Sequence, residues 1–282
     1  MAFIYRHPLL ATEHTAQDSG AEALAFALAR RCGIPLAAVL PIVSNPEYEA
    51  VAPQIAARAE AQAAARLQGL AADAAAAGVI VELRARRGPE PYAEIVAEAR
   101  ERGADLIVIR RRGQRGLLAN LLVGEMVRNV VAHAPCSVLV APRVATMWSR
   151  RVLVAVDPLA GDLSPVAAAA AIAAECALPL SIVCVSDPGA DAIQRAEAAL
   201  QRAGSAALAH AVPADTAVRI GRPHEQILAA AQQAGADLVV IGRRGDEKLA
   251  RAWLGGVAQK VIGMADRPVL VAVHAAEGAR HE

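Results

Sequence analysis

Ala104-Asp-Leu-Ile-Val-Ile-Arg-Arg-Arg-Gly113 returns later in the chain as Ala236-Asp-Leu-Val-Val-Ile-Gly-Arg-Arg-Gly245. Each copy runs on to a further glycine and a second apolar stretch, so the chain holds an internal repeat, and the repeat sets the architecture. The match extends outward. Arg6-His-Pro-Leu-Leu-Ala-Thr-Glu13 answers Arg150-Arg-Val-Leu-Val-Ala-Val-Asp157, and Cys32-Gly-Ile-Pro-Leu answers Cys176-Ala-Leu-Pro-Leu, both at an offset of 144 residues. The two Ala-Asp-Leu segments lie 132 apart, so the first copy carries the difference, 12 residues, between those landmarks. A longer second helix in the alanine-rich stretch from Pro53 to Ala77 is the expected place for most of it.

The punctuation between apolar runs supplies the elements. In the second copy, Arg151 to Val156, Leu180 to Val185, Asp237 to Ile241 and Val269 to Val273 are short, β-branched and bounded by Gly, Pro or Asp. Runs of this kind suit strands buried on both faces. Helical patterns lie between them, over Ser164 to Cys176, Ala190 to Ala203, Pro223 to Ala234 and Gly256 to Met264. Ser164-Pro165 reads as an N-cap followed by proline at the first helical position, and Gly235 as the close of the third helix. The first copy repeats the order, with strands near Pro8 to Thr12, Leu36 to Ile42, Val79 to Ala85, Asp105 to Ile109 and Ser137 to Ala141. Strands alternating with helices mean crossovers and parallel sheets. The expected fold is α/β: two doubly wound domains, residues 1–143 and 149–276, each a five-stranded parallel sheet with helices on both faces. Gly278 to Glu282 reads as a frayed tail.

Composition narrows the function. A chain of 282 residues has room for two cores of its own. With 29 basic and 28 acidic residues, no global field draws it to nucleic acid. The basic run Arg110-Arg-Arg-Gly-Gln-Arg115 lacks aromatic stacking partners and reads as a solvated loop. Four cysteines, Cys32, Cys136, Cys176 and Cys184, show no zinc spacing and read as small buried apolar residues in a reducing compartment. The first seven residues lack the apolar core of a signal peptide, and no apolar run is long enough to span a bilayer, so a cytoplasmic protein is expected. His133 and His224-Glu225 lack companion ligands and read as surface or helix-start residues. No metal site and no catalytic residue is expected.

Gly242-x-x-Gly245, nine residues and then Gly255-Gly256 place a glycine-rich loop between a buried strand and a helix start. Amides at a helix N-terminus bind anions, and glycine permits close backbone approach. Arg243 and Arg244 lie inside that loop as candidate phosphate partners. The bland alternative is a tight turn with no ligand. In an open parallel sheet, ligands collect at the carboxyl ends of strands where the order reverses, which is where Asp157, Val185 and Gly242 fall. Trp253 lies in the same loop as a candidate cover, while Trp148 reads as a plug for an apolar gap.

On these residues, together with Gly221-Arg-Pro-His-Glu-Gln-Ile and Ala132-His-Ala-Pro-Cys-Ser-Val-Leu-Val, the chain resembles the universal stress protein family in its tandem two-domain form. Members of that family divide into those that bind ATP and those that do not. The resemblance implies that Asp157 approaches ribose or adenine and that the Val185 backbone meets the adenine edge. It further implies that Gly242 and Gly245 pass close to ribose and phosphate, and that Gly255, Gly256 and Val257 offer amides to the phosphates. Gly256 departs from the pattern, which has Ser or Thr there. The first copy departs further: Arg110 replaces the first loop glycine, Glu13 stands for Asp157, and Glu125 for Gly256. The resemblance therefore implies an adenine nucleotide, ATP with or without magnesium, in the second domain only. Little or no hydrolysis is expected, because no P-loop lysine or catalytic base accompanies the loop.

The alternative reading is a nucleotide-free scaffold acting through protein contacts, as a homo-oligomer or with another protein partner. In the family the last strands of two domains commonly pair, which here joins Ser137 to Ala141 with Val269 to Val273 as an internal pseudo-dimer. An enzyme of the ligase or adenylyl-transferase type is disfavoured, since Asp157-Pro-Leu-Ala-Gly is neither an S-G-G-x-D-S nor an H-I-G-H loop.

Overall fold

A computed structural model of the chain describes residues 4–51, 53–111, 124–243 and 254–273. The first half runs β1 (Pro8–Ala11), α1 (Ser19–Cys32), β2 (Leu36–Val43), α2 (Pro46–Val51), α3 (Pro53–Ala76), β3 (Val81–Gly88), α4 (Pro91–Glu101), β4 (Leu106–Arg110), α5 (Glu125–His133) and β5 (Ser137–Ala141). The second runs β6 (Val152–Val156), α6 (Ser164–Cys176), β7 (Leu180–Ser186), α7 (Ala190–Leu208), β8 (Ala214–Ile220), α8 (Pro223–Gln233), β9 (Leu238–Gly242), α9 (Gly256–Met264) and β10 (Val269–Ala272).

The ten strands of the described residues form one sheet in the order β3-β2-β1-β4-β5-β10-β9-β6-β7-β8. Every neighbouring pair is parallel except β5 with β10, where Val140, Leu139 and Val138 face Val269, Leu270 and Val271 in antiparallel register. Each half thus has the doubly wound order, with its reversal between β1 and β4 or between β6 and β9. The expected pseudo-dimer is this junction.

Strand alternation sorts the side chains onto two faces. Leu106 and Val108 of β4 join a core with Leu270 of β10, packed under α1, α3, α6 and α7. Ile107 and Ile109 join the opposite core with Val269 and Val271, packed under α4, α5, α8 and α9. Both cores cross the boundary between halves, so the repeat folds as one continuous body. Trp148 is 2% exposed within the first of these cores, as an apolar plug should be. Among the described residues no helix is long and apolar enough to cross a membrane. Cys136, Cys176 and Cys184 are buried and Cys32 partly so, all as free thiols. Burial pushes the Cys136 thiol up to about 12 and that of Cys184 to about 11.

Several details differ from the sequence reading. The 12-residue surplus is divided: a six-residue α2 precedes a 24-residue α3, against 19 residues in α7. Ser164 is the first helical residue instead of the cap. Its N–H and hydroxyl donate to Asp162 Oδ1 and Oδ2 at 2.8 and 2.9 Å, so the aspartate two residues upstream takes the role of a local turn former. β8 had no apolar run to announce it, because as an edge strand it exposes Asp215, Thr216 and Ala217. The Asp of each Ala-Asp-Leu copy also has a structural purpose. Asp237 accepts from the N–H groups of Ser149, Arg150 and Arg151 at 2.8, 3.0 and 3.1 Å, and Asp105 does the same for Arg6 and His7, pinning the entry to β6 and β1.

At the other edge, β3 carries Arg84 and Arg86 toward Glu98 of α4, whose side chain is fully buried. Arg86 Nη1 donates to Glu98 Oε2 at 2.8 Å, and Arg102 adds a further bond to Oε1. Burial alone would raise the Glu98 carboxyl, but the hydrogen bonds from Arg102 and Arg86 hold it below the ordinary carboxylate range. A depressed carboxyl contributes stability above its unfolded value and loses it as pH falls toward the folded one. Glu98→Gln should therefore lower unfolding free energy by about 1–2 kcal/mol at neutral pH, since Arg86 and Arg102 lose a charged acceptor at a buried position while keeping Glu101, Glu94 and Glu82 as partners. Urea midpoints should show the gap to wild type narrowing as pH falls through the carboxylate range; a gap independent of pH would contradict this.

Candidate functional site

The carboxyl ends of β6, β7 and β9 open onto one cavity of about 520 Å³, within the roughly 300–1,000 Å³ of small-molecule sites. Asp157, Val185, Gly242, Arg243, Gly255, Gly256 and Val257 all line it. Gly245, with Arg244 and Trp253, lies outside the described residues, as do Arg112, Arg115 and the tail from 274 onward. The lining also includes Asp162, Asp187 and Arg195, which the sequence reading missed. Only the fold reveals them, because Asp162 and Asp187 belong to loops and Arg195 to the second turn of α7, with no motif around any of them.

The physical reasons for this grouping are local. β6 ends at Val156, and Asp157 follows with its Oδ1 accepting the Leu159 N–H at 2.8 Å, a short turn that holds the carboxylate at the cavity wall. β9 ends at Gly242. Its chain closes on α9 where Gly255 N–H donates to Arg243 O at 3.2 Å. The first intrahelical bond of α9 is made by the Gln259 N–H to Gly255 O at 3.0 Å. Among the described residues no carbonyl takes the N–H groups of Gly256, Val257 or Ala258. Three amides at the positive end of a helix dipole thus face a cavity whose other wall carries a carboxylate. At Gly256 a Cβ would meet nothing within 4 Å, so a hydroxyl-bearing side chain fits there without rearrangement.

Arg243 differs from the expectation of a simple phosphate partner. Its Nη1 donates across the domain junction to Ala134 O at 3.1 Å and Ala132 O at 3.5 Å, at the C-terminus of α5. Arg111, its counterpart at the 132-residue offset, donates in return to Gly263 O at 3.1 Å and to Ala265 O at the C-terminus of α9. Each half thus supplies a guanidinium to the negative end of the other half's last helix. Burial pushes the Arg111 guanidinium below its ordinary value.

The equivalent crevice of the first half is filled. Arg110, in place of Gly242, is 6% exposed. It donates to Glu13 Oε2 at 2.9 Å, Asp18 Oδ2 at 3.1 Å and Thr15 Oγ1 at 2.9 Å. Glu125 begins α5 where Gly256 begins α9, placing a carboxylate at the helix N-terminus. His133 Nδ1 donates to Asn129 O at 2.8 Å, and its ring stands 5.4 Å from that of Tyr92, an ordinary helix-end packing. Burial lowers His224, with Lys260 adding to the effect.

Two doubly wound domains fused edge to edge, the second with an open cavity at its reversal point, define a tandem α/β protein. Residues 5–142 and 149–273 each match the universal stress protein family, and the chain belongs to that family. Over 52 residues it is 38% identical to a universal stress protein of Methanocaldococcus jannaschii, a match covering 18% of this chain and 32% of that relative. The chain thus matches about a third of the length of its curated relative. A universal stress protein structure from Archaeoglobus fulgidus superposes with TM-score 0.74 at 19% identity, covering 96% of this chain and 97% of the other. A putative universal stress protein from Pseudomonas aeruginosa superposes at 0.68 and 19% identity, covering 95% and 93%. At these identities the structures speak for the fold.

Because Arg111 satisfies the last carbonyls of α9, Arg111→Ala should cost about 1–3 kcal/mol in urea unfolding, with Arg111→Lys between the two. A loss below about 0.5 kcal/mol would mean that water serves those carbonyls equally well.

Proposed function

We propose that this chain binds one adenine nucleotide, in the cavity of its second domain, with little or no turnover. The observation that carries the reading is the opposition of Asp157 to the amides of Gly256, Val257 and Ala258 across one cavity at the β6/β9 reversal. A ribose or base offers hydroxyls and amines to a carboxylate, and phosphates suit helix amides. The cavity size and the mixed donor set fit such a ligand. Arg195 adds a cation to the lining, and Asp187 a further carboxylate beside β7. The base edge falls to the Val185 backbone, on the cavity lining near the end of β7.

Limited turnover is the companion of this reading. Phosphoryl transfer needs cations and a positioned nucleophile at the transferring group. The described lining offers no lysine and no histidine, and one of its two arginines is bonded to α5. Magnesium would enter as the nucleotide's counter-ion. The first domain is assigned a structural role, since Arg110 and its carboxylate partners occupy the corresponding place.

Calorimetric titration of the full chain with ATP and AMP, each with and without magnesium, should show one nucleotide per chain. Asp157→Ala should weaken binding. Gly256→Ser should tighten it by up to about tenfold, the worth of one added hydrogen bond to a phosphate. Absence of heat at high protein concentration, or two sites per chain, would overturn the reading.

A further inference from the structure

The geometry points to a divalent transition-metal site in the first domain, formed by His14, Glu22 and Asp73. These three come from the loop after β1, from α1 and from α3, and one ligand atom from each lies within 4.8 Å of the others. His14 Nδ1 and Glu22 Oε1 are hydrogen-bonded at 3.1 Å. Two atoms each about 2.1 Å from one shared ion stand roughly 3.0–3.4 Å apart, so this pair already has the separation of neighbouring ligands.

The surroundings are those of a supported ligand set. Glu22 is 7% exposed, and among the described residues no lysine or arginine lies within ion-pair distance of it. Carboxylates buried to this depth are ordinarily matched by a fixed cation or a metal. Thr12 Oγ1 donates to Glu22 Oε1 at 2.7 Å and itself accepts the His14 N–H at 2.8 Å, the kind of outer contact that orients metal ligands. His14 is held at φ 49°, in the left-handed region. Its ring sits against α3 at Gly69, where a Cβ would come within 2.7 Å of Nε2. Asp73 lies one turn beyond Gly69 on the same helical face and is exposed, with a carboxylate oxygen within 4.8 Å of the other two ligand atoms.

One imidazole nitrogen with two carboxylates is a borderline donor set, suited to zinc, iron or manganese more than to calcium or to copper(I). Three protein ligands leave the remaining positions to water. Bound there, the ion would tie α3 to α1 and to the end of β1, beside the Arg110 cluster and at the strand end where the second domain keeps its cavity. The site is independent of any nucleotide.

The test uses the full chain, stripped with a chelator and titrated with zinc chloride by calorimetry and with cobalt(II) by visible absorption. One equivalent of zinc and a cobalt d–d band are expected. Asp73→Asn, an exposed change whose fold is checked by circular dichroism, should weaken zinc by roughly tenfold or more, as should His14→Ala. Replacing His274 and His281 by alanine should leave the equivalent intact. No bound zinc, undiminished binding in Asp73→Asn, or binding lost with the two tail histidines would overturn the site and leave a hydrogen-bonded cluster only.

Discussion

The antiparallel junction of β5 with β10 is the constraint on which the rest of the molecule depends. Three facing pairs of valine and leucine turn two five-stranded sheets into one of ten strands. They also merge the cores on both faces, so each helix layer spans the two halves. An edge strand exposes unpaired amides and carbonyls, and a duplicated α/β domain has such an edge in each copy. Joining the two edges removes both. The edges that remain, β3 and β8, are polar: β3 is laced to α4 by arginines, and β8 exposes Asp215 and Thr216.

The junction also brings the two glycine-loop starts within reach of each other's helices. Arg111 and Arg243 occupy equivalent places in the repeat and cap the last helix of the opposite half. The exchange links the candidate phosphate helix, α9, to the first domain through Arg111. One domain therefore supports the cavity of the other without contributing to its lining.

Duplication preserved the backbone while changing the charge at the reversal point. Where β9 ends in Gly242, β4 ends in Arg110, and the long side chain draws Glu13, Asp18 and Thr15 around it. A cavity in one half corresponds to an ion-pair cluster in the other. Once the guanidinium is buried, its carboxylate partners must stay, because removing one would strand a charge. That coupling accounts for several departures of the first copy at once.

Much of this was legible in the chain. The repeat, the buried strands such as Ser137–Ala141, and the bounds of α6 and α9 follow from apolar periodicity and punctuation, which act over a few residues; the family followed from resemblance of the motifs, not from periodicity. Of the seven described candidates around the cavity, Asp157, Val185 and Gly242 were named by their place at strand ends, and Arg243, Gly255, Gly256 and Val257 by the glycine loop, the helix start and the family resemblance. What remained hidden depends on residues distant in sequence. β8 escaped because an edge strand needs no apolar run, and Ser164 was misread because the local competition with Asp162 is decided by geometry. Arg243 pointing into the first domain, Arg110 filling its own crevice, and His14 meeting Glu22 and Asp73 were settled only when the sheet closed. Short-range pattern determines which elements form; the direction in which a long charged side chain finds its partner is determined by which strands become neighbours.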